Sequence, residues 1–164
     1  MKRFVIIRHA KSSWDDFSIK DFDRTLNARG VKDAPEMGKR LLAQGWRPDA
    51  FYVSTAKRTQ QTAEALKKAM NFTGEIYLLD WLYHAPATLL EDAIATADDR
   101  FNTIFIIAHN PGVSDFLTEH CPALEGTNMP TCAAAGFTLA ADSWADFHQA
   151  KKTLIQFDFP KSIS

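Results

Sequence analysis

The chain is short of cysteine, of long apolar runs and of net charge, and each shortage excludes something. Two cysteines, Cys121 and Cys132, occur in 164 residues. They are too few for a disulfide framework and lack a zinc-ligand spacing, so both read as structural thiols in a reducing, cytoplasmic setting. No apolar run approaches the roughly 20 residues that span a bilayer. Met1-Lys2-Arg3-Phe4 leads straight into the first apolar stretch, so no signal peptide is expected. Nineteen Lys and Arg stand against 20 Asp and Glu, a formal charge of −1. No general field therefore draws the chain to nucleic acid or to an anionic membrane. Repeats, low-complexity tracts and linkers are also missing, and one domain over residues 1–164 is expected.

What is present is globular in character, with 46% apolar and 24% charged residues, and enough chain to bury a core. Phe4-Val5-Ile6-Ile7, Phe51-Tyr52-Val53-Ser54 and Ile104-Phe105-Ile106-Ile107-Ala108 are short, largely β-branched or aromatic runs. Such runs suit strands covered on both faces in a parallel sheet. The first stops at Arg8-His9 and the third at His109-Asn110-Pro111-Gly112. The second passes through Thr55 into a helix with Arg58 in its first turn. Chemistry in open α/β sheets collects beyond the carboxyl ends of strands. Three strands of one sheet would bring Arg8, His9, Arg58 and His109 to one edge, where they repel unless an anion lies between them. Arginine's planar fork matches phosphate oxygens, which makes a phosphoryl group the natural guest.

Between these runs, Lys11 to Thr25 is a long polar loop carrying Asp15, Asp16, Asp21 and Asp23. Asp23 and Arg24 could form a plain ion pair, or Arg24 could hold the loop or meet the phosphoryl donor. Val31, Ala34, Met37, Leu41 and Leu42 follow at helical spacing. Pro35 predicts a break there, with Asp33-x-x-Glu36 capping a fresh start and Gly45 as the stop. A helix over about 56–70 is expected to take Ser54 or Thr55 as N-cap. Glu75–Leu78 reads as a strand, about 88–97 as a helix, and Pro111 as the first turn of another. The chain is irregular from Pro122 to Thr131, and Ala135–Ala140 and Thr153–Phe159 are closing strands. His120 and His148 match no motif and read as surface or packing residues.

Arg8-His9, Ser54-x-x-x-Arg58-x-x-Gln61-Thr62-Ala63 and Ala108-His109-Asn110-Pro111-Gly112 together resemble the histidine phosphatase superfamily. Asp23-Arg24-Thr25-Leu26-Asn27-x-x-Gly30, Leu82-Tyr83-His84-Ala85 and Met129-Pro130-Thr131-Cys132 are similar to its SixA-type phosphohistidine phosphatase branch. The similarity runs from Phe4 to about Pro160. It implies a three-layer, phosphoglycerate-mutase-like α/β fold: a mostly parallel central sheet with helices on both faces, compact, without a large cap domain. An open site of that kind admits a phosphorylated protein side chain. The resemblance also implies catalytic roles for His9, Arg8, Arg58 and His109, with His9 as the nucleophile of a phosphohistidine intermediate that water later cleaves. Candidate phosphate- or substrate-binding residues are Arg8, Arg58, His109, Ser12, Arg24 and His84. No metal or other cofactor is expected, since the strand ends carry no carboxylate cluster. The expected partner is a phosphohistidine protein or a small phosphorylated substrate, met by a monomer.

Two positions depart from the superfamily. Ala10 stands where most members have Gly, and Asp15 where the mutases have Asn; Asp15 is expected to point away from the phosphate. The region after the third strand reads Leu82-Tyr83-His84, without the carboxylic acid of the larger members, and His84 is either the acid or an exposed loop histidine. An imidazole leaving group, with a conjugate-acid pKa of about 6.5, needs far less acid help than an alkoxide, which resembles hydroxide at about 15.7. The missing acid favours phosphohistidine as substrate. A phosphatase of small monoesters and a non-catalytic phosphate-binding module remain the alternatives.

Overall fold

In the computed structural model, which describes residues 1–161, the apolar runs assemble into one six-stranded sheet. Its strands are β1 (Lys2–Arg8), β2 (Ala50–Ser54), β3 (Glu75–Leu79), β4 (Thr103–Ala108), β5 (Ala134–Leu139) and β6 (Lys152–Asp158), in the order β3-β2-β4-β1-β5-β6. The β3-β2-β4-β1 portion is parallel, while β5 runs antiparallel to β1 and β6 antiparallel to β5. Helices α1 (Ala28–Ala43) and α2 (Lys57–Ala69) cover one face, and α3 (Ala87–Ala95) and α4 (Gly112–His120) the other.

Strand alternation sorts the core into two halves. Phe4, Ile6, Ile104 and Ile106 pack with Leu90 and Ile94 of α3 and Phe116 and Leu117 of α4. Val5, Ile7, Phe105 and Ile107 pack with Met37 and Leu41 of α1 and Ala63 and Leu66 of α2. Each large side chain so buried contributes about 1.5–3 kcal/mol. Both faces are therefore occupied, and this is why the parallel strands read as unbroken apolar runs. Among the described residues, no helix is long and apolar enough to cross a membrane.

Four local expectations are corrected. There is no fresh start at Asp33: α1 runs unbroken through Pro35. It begins at Asn27, whose side chain accepts from the Gly30 amide at 2.9 Å. Pro35 costs the helix a backbone bond, but the buried face of Ala34, Met37 and Leu41 holds the helix together across it. Val31, counted as an inward position, is exposed. Helix α2 has no side-chain cap, because Ser54 is turned toward His109 instead. Pro111 precedes α4 rather than lying within its first turn.

The long loop after β1 is held against the fold at both ends. Ser12 bridges to Leu26, the Leu26 amide donates to the Gln61 side chain on α2 at 2.8 Å, and the Asn27 amide donates to the Lys11 carbonyl at 3.0 Å. Gly30 sits directly beneath that carbonyl. A Cβ there would stand 2.1 Å from the Lys11 oxygen. Gly30→Ala is therefore expected to push the loop off α1 and cost about 1–3 kcal/mol in urea unfolding. An unchanged unfolding curve would contradict this close approach.

Candidate active site

The sheet register sets the site. Arg8 pairs with Ala108 across β1 and β4, so His9 and His109 leave adjacent strand ends, and their rings lie 5.4 Å apart. Strand β2 lies beside β4, and Arg58 is the second residue of α2, which follows β2 after a short turn. The four side chains meet at one cleft of about 230 Å³, which Ser12, Arg24 and His84 also line. All seven residues singled out from the sequence are thus brought together. Lys57, next to Arg58, is exposed, and Asp15 is exposed and outside the lining, as expected.

Hydrogen bonds define the state of the two buried imidazoles. His9 Nδ1 lies 2.7 Å from the Ala10 carbonyl, which can only accept, so Nδ1 carries the proton. Its Nε2 is then a lone pair, meeting the Arg58 Nε–H at 3.3 Å. Arg58 Nη2 also faces His109 Nδ1 at 3.3 Å, and guanidinium has no acceptor, so that nitrogen too is a lone pair. The proton of His109 is then on Nε2, donated to Ser54 Oγ at 2.7 Å. Burial is the main force that pushes the pKa of His9 down to about 3; the hydrogen bond to the Ala10 carbonyl opposes it next, and the Arg58, Arg8 and Arg24 charges add to the lowering. Burial, with His9 and Arg58 nearby, pushes His109 down to about 2.

Arg8 enters from β1 and donates to the Met129 carbonyl at 2.9 Å. The Cys132 amide donates to the Arg8 and His9 carbonyls, both at 3.0 Å, so the Met129–Cys132 stretch fixes the end of β1. Ala10 is fully buried, and its amide donates to Thr62 Oγ1 at 3.0 Å. Burial pushes the Cys132 thiol up to about 12, in keeping with a structural role.

The residue that the sequence does not single out is Asp21. It accepts from Arg58 Nη2 at 3.1 Å, Arg24 Nε at 3.1 Å and Tyr83 Oη at 2.5 Å, and its Oδ2 lies 2.9 Å from His84 Nε2. Its backbone carbonyl takes a further bond from Arg58 at 2.7 Å. Burial alone would raise its pKa, but Tyr83, Arg58 and Arg24 together hold it well below the usual carboxylate range. The expected mutual repulsion of four cationic groups is thereby corrected: the imidazoles are neutral, and Asp21 supplies an anion to Arg58 as well as to Arg24, while Arg8 is held by the Met129 carbonyl. The ion pair of Arg24 is with Asp21, three residues back, and not with the exposed Asp23. Arg24 is otherwise held by Ser12 Oγ at 2.5 Å and by the Trp14 ring, 3.5 Å from its guanidinium carbon. The signal available in the sequence was the i, i+3 spacing of Asp21 and Arg24.

With this geometry in view, residues 4–83 match the model of the histidine phosphatase superfamily (branch 1). The SixA phosphohistidine phosphatase assigned in Agrobacterium tumefaciens superposes with a TM-score of 0.83 at 27% identity, over 97% of this chain and 98% of that one. The first half of the chain thus carries the sequence of the histidine phosphatase superfamily, and the whole chain has its fold. Its compact form is that of the SixA-type branch. A protein histidine phosphatase SixA solved with tungstate has the same fold, with a TM-score of 0.81 at 22% identity over 96% of this chain and 97% of that one. An uncharacterized chloroplastic protein of Arabidopsis thaliana is 29% identical over 156 residues, 88% of this chain and 70% of its own. The family match and the neighbours together support a phosphatase.

The neutral imidazoles set a dependence of stability on pH. In the unfolded chain His9 and His109 take up protons near the ordinary value of about 6.5, and in the fold they do not. Their contribution is complete above that pH and is lost as the pH falls toward their folded values. The unfolding free energy is expected to drop between pH 7 and pH 4.5, with about 1–3 kcal/mol of the drop absent in His9→Asn. An identical pH dependence in that variant would contradict the buried neutral state.

Proposed function

We propose that the chain hydrolyses phosphohistidine on a protein through a phosphoryl intermediate on His9. The observation that carries this reading is the orientation of His9. Its Nδ1–H is held by the Ala10 carbonyl, and its Nε2 lone pair stands in a cleft shared with Arg8, Arg58 and His109. A phosphoryl group entering the cleft meets the N–H groups of Arg8 and Arg58. As Arg58 turns its donors to the phosphoryl oxygens, the Nε2 lone pair of His9 is released to attack phosphorus in line with the departing imidazole. Positioning and charge stabilisation supply most of the rate in such transfers. Water then attacks phosphorus, the P–N bond to His9 breaks, and inorganic phosphate leaves.

Two features bear on the substrate. The loop that carries Asp21 and Arg24 also exposes Trp14, Phe17 and Phe22, and Trp81 is exposed just ahead of Tyr83. Exposed aromatics beside an open cleft suit a macromolecular partner rather than an enclosed metabolite. The SixA-type neighbours support a phosphorylated protein in the same way. A second reading, hydrolysis of small phosphate esters, is favoured by one contact. The His84–Asp21 pair at 2.9 Å places a proton-bearing group among the cleft residues, and an alkoxide leaving group would require one.

Turnover of a phosphohistidine peptide against a panel of sugar and nucleoside monophosphates decides between the two. The proposed reading expects the peptide to be preferred, and preference for esters would overturn it. His9→Ala is expected to abolish an acid-labile phosphoryl adduct on the protein, and Arg58→Ala to lower kcat/KM by about 10²–10³-fold. Full activity in His9→Ala would exclude covalent catalysis at this residue.

A further inference from the structure

On the face of the sheet covered by α3 and α4, a second cluster of chemistry-bearing side chains lies outside the catalytic cleft. Glu91 projects from the middle of α3, and Glu119 and His120 end α4. One ligand atom from each of the three lies within 4.8 Å of the others. Among the described residues, this is the one place where three such groups approach so closely. The exposed His148 stands beside this trio, with Nδ1 3.6 Å from the other Glu91 oxygen, Oε2.

Glu91 and His120 are not satisfied by one another. Glu91 is 7% exposed, and its Oε1 is buried without a hydrogen-bond partner, as is His120 Nε2. The two atoms face each other at 3.8 Å, too far for a hydrogen bond. That spacing is a few tenths of an ångström wider than the roughly 3.4 Å edge of a coordination tetrahedron with bonds of about 2.0–2.1 Å, a gap that a small side-chain adjustment closes. The ring of His120 is set by packing on Phe116 and Phe147, with centroids 4.5 and 5.5 Å away. A buried carboxylate and a buried imidazole aimed at each other, both unpartnered, cost the fold unless a cation lies between them.

We propose that Glu91, Glu119 and His120 bind one divalent transition metal of the zinc class, with the neighbouring exposed His148 turning in as the fourth ligand. Two imidazoles with two carboxylates suit zinc better than magnesium, which prefers oxygen ligands and keeps its waters. The carboxyl end of α4 adds its partial negative charge. His120 is kept neutral by burial first and by the Lys152 charge second, so its lone pair is available to a metal near pH 7. Lys152 is the opposing group, with its ammonium held by the Phe147 carbonyl at 2.8 Å. A bound metal would clip α3 and α4 together, at the end of α4 opposite the catalytic edge.

The test uses the full chain stripped by a chelator and then titrated with Zn²⁺, with Co²⁺ as a spectroscopic probe and Mg²⁺ as a control. One equivalent of Zn²⁺ is expected to bind and to raise the thermal midpoint by about 5 °C or more at a hundredfold excess over Kd. Co²⁺ is expected to develop a visible absorption band that phosphate, a ligand for the catalytic cleft, does not abolish. Glu91→Gln and His120→Gln should each weaken binding at least tenfold. Glu119→Gln, at an exposed position that cannot unfold the core, should weaken it too. The absence of saturable Zn²⁺ uptake, or uptake unaltered in Glu119→Gln and in whichever of the two buried variants folds, would overturn the proposal.

Discussion

A guanidinium with 2% of its surface exposed must be met by acceptors on every side, and at Arg58 those acceptors are the working parts of the site. Its Nε–H is turned to His9, one Nη to the Asp21 carbonyl, and the other to both the Asp21 carboxylate and His109 Nδ1. Satisfying this one buried charge therefore orients both imidazoles and anchors the loop that carries Asp21. It also selects the proton positions, because a donor-only group facing a ring nitrogen requires a lone pair there. Both rings are left neutral, and His9 keeps an unprotonated Nε2 in the cleft.

The fold supplies this arrangement at some local expense. Adjacent parallel strands β1 and β4 deliver His9 and His109 side by side, and their apolar lengths are held by helices on both faces. Helix α2 has no side-chain cap: the Ser54 hydroxyl holds His109, and the Thr55 hydroxyl is buried without a partner. A cation in the first turn of α2 also opposes the helix dipole. Both features run against helix stability and with anion binding. Consistency across levels is broken here and kept elsewhere, as happens where a site is built into a scaffold.

Much of this was legible in the linear sequence, and the part that was not has a physical reason. Strand runs covered on both faces carry a strong signal, so β1, β2 and β4 and the charged residues at their ends could be placed together. Asp21 could not, because it is one of four acids in a loop without periodicity. Its position depends on the Ser12–Leu26 bridge and the Leu26–Gln61 bond, contacts between segments well apart in the chain. Pro35 misled because propensity is local, whereas the buried face of α1 is a tertiary term. Glu91, His120 and His148 were separated by intervals that match no motif; the packing of α3 on α4 brings the first two together, and the turn after Trp144–Asp146 brings His148 to Glu91.

The chemistry of the cleft turns on the state of the His9 ring, and nitrogen-15 NMR of the histidine side chains reads that state directly. At pH 5, His9 is predicted to show a protonated Nδ1 and an unprotonated Nε2, the signature of a neutral ring. Resonances of a fully protonated imidazolium at that pH, or of the opposite tautomer at any pH, would contradict it.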